Sequence, residues 1–93
     1  MARVDIGHGV TIDVVADDCG PVGIEYTHPN LTGGGRCAGF VYFDLPHVRD
    51  KFAPDAGQMW HLDQADPLTI SPSLLCRGCS HRGFIREGAW VPA

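Results

Sequence analysis

Cys76-Arg77-Gly78-Cys79 restricts the folds open to this chain more than any other stretch. Two thiols separated by two residues on a tight turn can face a single metal ion. The remaining ligands must then be brought to that turn from elsewhere in the fold. Gly78 is expected to let the backbone reverse where a side chain would clash. The sequence around the turn, Leu68 to Trp90, reads as a strand, a cysteine knuckle and a hairpin. Phe84-Ile85-Arg86 and Ala89-Trp90-Val91 form the hairpin strands, joined at Glu87-Gly88.

A chain of 93 residues is expected to form one domain, with 1–57 as N-terminal hairpins and a loop and 58–93 as the half carrying Trp60 and the knuckle. A domain of this size buries only about 60 to 65% of the surface its unfolded chain exposes, so a staple would help it. Four cysteines are present. In a reducing compartment they favour metal or free thiols over disulfides. In an oxidising one they would allow three pairings. The start of the chain, Met1-Ala-Arg-Val-Asp-Ile-Gly, has no signal-peptide pattern, and no apolar run approaches the roughly 18 residues of a membrane span. The expectation is an intracellular protein that does not enter a membrane.

The period of two in Val4, Ile6, Val10, Ile12 and Val14 marks one or two strands, with a break at Gly7-His8-Gly9. Asp17 to Pro21 is a turn. Val22, Ile24 and Tyr26 alternate again and can form a hairpin with the first segment. His28 to Gly35 is a loop, and Arg36 to Leu45, rich in aromatic and β-branched residues, is the best strand of the chain. Pro46 to Phe52 is one helical turn with Pro46 at its first position. Gln58 to Leu62 is a short strand, and Leu68 to Ser71 another, stopping at Pro72 with an edge or a bend there. No amphipathic helix and no repeat is evident. The class is all-β or mostly β: a small antiparallel, zinc-ribbon-like sheet of about six or seven short strands.

A structural zinc takes four ligands in a tetrahedron. Cys76 and Cys79 supply two. Cys37, which opens the strong strand after a glycine loop, is the preferred third. His28, at the end of the preceding strand, is the preferred fourth and would close a His-x8-Cys clamp. His81 is its close competitor, with Cys19 and His61 as outsiders. The bland alternative is a pair of free thiols in a turn. A redox C-x-x-C is disfavoured because no helix begins at Cys79 to lower a thiol pKa.

Other chemistry is thinly supported. Carboxylates in β turns are normally turn formers, and neither a Ser-His-Asp arrangement nor an H-E-x-x-H motif is present. The three consecutive glycines at Gly33 to Gly35 lack the Lys-Ser/Thr and the helix that a phosphate cradle needs. The chain is therefore expected not to be an enzyme. A net charge of −4 argues against a nucleic-acid binder. Yet from Cys76 to Arg86 there are three arginines (Arg77, Arg82, Arg86) and no acid. That is a solvated hairpin face, or else the contact for an acidic partner, in which Trp90 would be an exposed anchor. Most of the other aromatics have the spacing of core residues.

Trp60 with its following acidic turn, then Asp66-Pro-Leu-Thr-Ile-Ser-Pro-Ser, the C-x-x-C, Gly83-Phe-Ile-Arg and Gly88-Ala-Trp90, resembles a family of small proteins of unknown function encoded by tailed bacteriophages, notably those of actinobacteria. The resemblance spans about residues 58 to 92 and, more loosely, His28 and Cys37. Ser80-His81-Arg82-Gly83 stands where the family has Gly-x-His-Gly, so His81 is displaced by one position. The resemblance implies phage origin and a metal-stapled β fold, and it implies no activity. The expected function is that of a zinc-stabilised binding protein in the host cytoplasm, with a host factor or another phage protein as partner. The alternatives are a multi-copy virion component, such as a capsid decoration or minor head protein, and a small metal-dependent hydrolase.

Overall fold

Short alternating runs separated by turn residues leave this chain little choice but strands. The computed structural model describes residues 3–93 and contains β1 (Val4–Gly7), β2 (Val10–Asp17), β3 (Gly20–Pro29), β4 (Arg36–Phe43), α1 (Pro46–Phe52), a 3-10 turn at Ala56–Gln58, β5 (Met59–Gln64), β6 (Thr69–Leu75), β7 (Arg82–Arg86) and β8 (Ala89–Pro92). The mostly β class is as expected, but the strands among the described residues number eight. Residues 4–16 supply two of them because Gly7, His8 and Gly9 all adopt left-handed φ angles of 101°, 54° and 77° and turn the chain back. The last hairpin turns at Glu87 and Gly88, again with positive φ at both positions, the geometry that matches strand twist in two-residue turns.

The strands lie in one sheet in sequence order. Every neighbouring pair is antiparallel except β4 and β5, which run parallel over Tyr42↔Met59 and Phe43↔Trp60. This departs from a purely antiparallel sheet. The physical reason is the connection: α1 and the 3-10 turn carry the chain away from the end of β4 and return it pointing the same way. The sheet is thus two antiparallel meanders, β1–β4 and β5–β8, joined by a short parallel seam. β1 and β8 also touch, so the sheet curls nearly into a barrel.

One apolar cluster fills the inside and draws on both meanders: Ile12, Ile24 and Phe43 from the first, Ile70, Leu74, Ile85 and Trp90 from the second. On β3 the inward row is Val22, Ile24, Tyr26 and His28, so the period that buries the apolar residues also carries a histidine inside. α1 begins with Pro46 as its first residue, as expected, and buries Val48. His47 bonds the Pro21 carbonyl and Lys51 pairs with Asp17 at 2.9 Å, which fixes the helix to the first meander. Among the described residues no helix is long and apolar enough to cross a membrane.

Two expectations are corrected. β6 does not stop at Pro72: it continues to Leu75 between β5 and β7, and the register shifts between Ile70 and Leu74 so that the proline sits in the irregularity, outside the regular ladder. Trp90 is not an exposed anchor. It is 4% exposed and its indole lies across Gly83, where an added Cβ would come within 2.4 Å of the ring. The inward phase of β8 puts it there, because Ile85 and Trp90 are cross-strand partners facing the core.

Candidate metal centre

Register brings the first two candidate ligands together. His28 and Cys37 are directly opposed across the β3–β4 ladder, and both point inward. Directly opposed residues have Cβ atoms about 4.5–5.5 Å apart, close enough for both side chains to reach one ion. The C-x-x-C turn between β6 and β7 supplies the second pair from the other meander. It is closed by Ser80 N–H donating to the Cys76 carbonyl at 2.7 Å and Cys76 N–H donating to the His81 carbonyl at 2.8 Å. The left-handed residue of this turn is Ser80, with φ 66°, and not Gly78. A Cβ at Gly78 would rest 3.8 Å from Cys76 Sγ, an ordinary contact. The expectation that Gly78 relieves a clash is therefore corrected.

The glycines at 78 and 83 should respond oppositely to the same substitution. Gly78→Ala should leave the melting temperature unchanged or raise stability by about 0.4–1 kcal/mol, through the unfolded chain. Gly83→Ala should cost about 2–3 kcal/mol, because the methyl group collides with a buried indole and with the Val91 carbonyl. Equal melting temperatures for the two variants would contradict the packing of Trp90 over Gly83.

His28, Cys37, Cys76 and Cys79 offer ligand atoms that all lie within 4.8 Å of one another. Cys37 Sγ and Cys79 Sγ are 3.9 Å apart. A tetrahedral ion with metal–sulfur bonds of about 2.3 Å separates its sulfurs by about 3.8 Å, so the spacing fits an ion and is too long for a disulfide. None of the four cysteines is disulfide-bonded. These four residues can hold a metal ion.

The surroundings favour a charged centre. His28 is 1% exposed and its Nδ1 lies 2.9 Å from the Pro29 carbonyl. A proton on Nδ1 satisfies that contact and leaves Nε2 with its lone pair, the tautomer a metal-binding imidazole needs. The backbone N–H of Leu31 bonds the Cys79 sulfur and pulls its thiol down; burial opposes this, and the N–H of His81 assists. Cys37 goes the other way. Burial and its hydrogen bonds to Cys79 and Cys76 push it up to about 11. Three crowded sulfurs cannot all be thiolates without a cation among them, and a bound metal removes that conflict.

His81 is near the centre but outside the group of four. Its ring is stacked on His28, with centroids 4.2 Å apart and planes at 9°. Tyr26 and Trp90 extend the stack at either end, so that Tyr26, His28, His81 and Trp90 form one column from the first meander to the second. Burial, then the neighbouring His28, lowers the pKa of His81, consistent with a neutral packing role. Cys19 is exposed in the β2–β3 turn and His61 is exposed on β5, bonded to Asp63; neither belongs to the group. Arg77, Arg82 and Arg86 are all exposed. The Leu31 amide and the aromatic column have no sequence signature, since both arise from contacts between distant segments.

No protein-family model, no curated protein and no solved structure matches the chain.

Proposed function

We propose that this is a zinc-stapled β protein that acts by binding another protein, with the zinc structural and the chain non-enzymatic. The observation that carries the reading is the convergence of three sulfurs and one buried imidazole from two separate meanders. A set of three thiolates and one imidazole with tetrahedral spacing is the donor set of zinc. Four protein ligands would fill the coordination of a tetrahedral ion, which supports a structural over a catalytic role and weighs against the hydrolase alternative. The phage origin rests on the linear motif from Trp60 to Trp90, and with it the setting in a host cytoplasm. The outward row Phe40, Tyr42 and Phe52, with centroids 4.9 Å and 5.8 Å apart, favours a second reading as a component of a multi-copy assembly such as a virion.

Intact mass under native and denaturing conditions tests the metal. The expected result is one zinc per chain, lost on denaturation. A bare reduced chain in both conditions would end the zinc reading, and a chain lighter by hydrogens would replace it with disulfides. Presence of the protein in purified particles would favour the second reading over the first.

A further inference from the structure

The metal centre contains the parts of a second cross-link that needs no ion. Cys37 Sγ and Cys79 Sγ are 3.9 Å apart, yet they come from different meanders and stand 42 positions apart in the chain. A disulfide bond is about 2.05 Å long, so the two sulfurs have about 2 Å to close. Neither residue is held in the middle of a ladder. Cys37 is the second residue of β4, and Cys79 lies in the turn before β7. Both are free cysteines. Access to the sulfurs is graded. Cys37 and Cys76 are partly exposed, whereas Cys79 is 2% exposed and is reached from inside the fold, by its neighbouring sulfurs.

We infer that Cys37 and Cys79 form an exchangeable disulfide that replaces the metal as the tie between the meanders when the chain meets an oxidising low-molecular-weight disulfide of the glutathione type. The inference rests on the metal-staple reading and gives the same site a second state. The step is thiol–disulfide exchange. The Cys37 thiolate attacks one sulfur of the small disulfide, forming a mixed disulfide and expelling one thiolate. The Cys79 thiolate then attacks the Cys37 sulfur, forming the Cys37–Cys79 bond and expelling the second. Two electrons pass from the protein pair to the small disulfide, whose halves leave as thiols with the two protons that Cys37 and Cys79 shed. Three pairings are open to Cys37, Cys76 and Cys79, and reversible exchange selects the most stable. Cys76–Cys79 would close a loop within one turn. Cys37–Cys79 closes a far longer loop and so removes more freedom from the unfolded chain. It also ties the end of β4 opposite the parallel seam, where Cys76–Cys79 would tie nothing. Cys37–Cys76 would leave both of its sulfurs partly exposed to renewed attack, whereas a bond to Cys79 has one sulfur shielded by burial. A disulfide sulfur is no longer a thiolate ligand. The joined pair leaves only His28 and Cys76 as donors, so metal and disulfide exclude one another. Such a chain keeps one tie in a reducing compartment and another in an oxidising one.

The test uses the full chain carrying Cys19→Ser, which removes the exposed thiol outside the centre. It is purified in reductant, and native mass of that sample reads the metal content first, so that failure of the zinc reading shows separately from failure of the exchange. The protein is then held with EDTA in oxidised glutathione containing a trace of the reduced form, and remaining thiols are blocked with iodoacetamide. Trypsin cuts after Arg36, Arg49, Arg77 and Arg82, which puts Cys37, Cys76 and Cys79 on different peptides. The expected result is a metal-free chain lighter by two hydrogens, with the Cys37 and Cys79 peptides joined. Its melting temperature should lie at least about 10 °C above that of the reduced chain in EDTA. Adding Cys76→Ser should preserve both the bond and the melting gain, and adding Cys37→Ser should abolish the gain. Any other pairing, glutathione adducts alone, an oxidised chain that melts no higher than the reduced one, or a gain kept by the Cys37→Ser chain would each overturn the proposal.

Discussion

Replacing Cys76 or Cys79 with serine should give a chain that holds no metal and does not fold at physiological temperature. The two meanders are joined by a parallel seam of only two residue pairs, at the Tyr42–Phe43 end of β4. Cys37 lies at the other end of β4, and there the group of four is what ties β3 and β4 to the β6–β7 turn. Structural zinc contributes about 10–16 kcal/mol of apparent binding energy in small metal-dependent folds. The whole stability of a domain is about 5–15 kcal/mol. Loss of the ion should therefore exceed what the apolar cluster can hold by itself. Because the ligands must shed protons, and Cys37 is held up to about 11 without a cation, metal affinity should rise with pH and fall on acidification. Cys19→Ser is the control: the residue is exposed and outside the group, so metal content and melting should not change. Circular dichroism melts with metal content by mass decide the matter. A Cys76→Ser protein that melts like the wild type would refute the staple.

The two histidines should separate just as clearly. His28→Ala should lower metal affinity by more than about 100-fold, since even outer partners of metal ligands are worth 10–100-fold. His81→Ala should keep one metal per chain and lose only stacking against His28 and Trp90, about 0.5–1.5 kcal/mol per aromatic pair. Competition with a chromogenic chelator measures both. If His81→Ala releases the metal and His28→Ala retains it, the roles assigned from the register are reversed.

Much of the local structure was legible in the chain. Val4, Ile6, Val10, Ile12 and Val14, and then Val22, Ile24 and Tyr26, alternate with a period of two and lie on strands, because alternation on a half-buried sheet is a purely local requirement; Phe84–Arg86 and Ala89–Val91 are strands joined at Glu87-Gly88, a turn whose residues are equally local. Pro46 opened its helical turn because a fixed φ and a missing N–H suit that position in any context. Cys76 and Cys79 stood out as a pair because their spacing alone places two sulfurs on one turn.

Other features belong to the tertiary structure. Ser80, not Gly78, took the left-handed position, because hydrogen bonds from both flanks of the turn set its path. Trp90 went inside because the β7–β8 register faces it to the core over Gly83, and an exposed Arg86 nearby gave no hint of that. Parallel pairing of β4 with β5 followed from the direction in which α1 and the 3-10 turn return the chain. Above all, sequence named two candidate histidines for one place. The ladder opposed His28 to Cys37, and stacking set His81 against the ring of His28. Periodicity and spacing act within a segment, so the sequence by itself determined which segments are strands and where two thiols lie close. Which side chains meet across segments depends on register and closure, and only the folded sheet decides those.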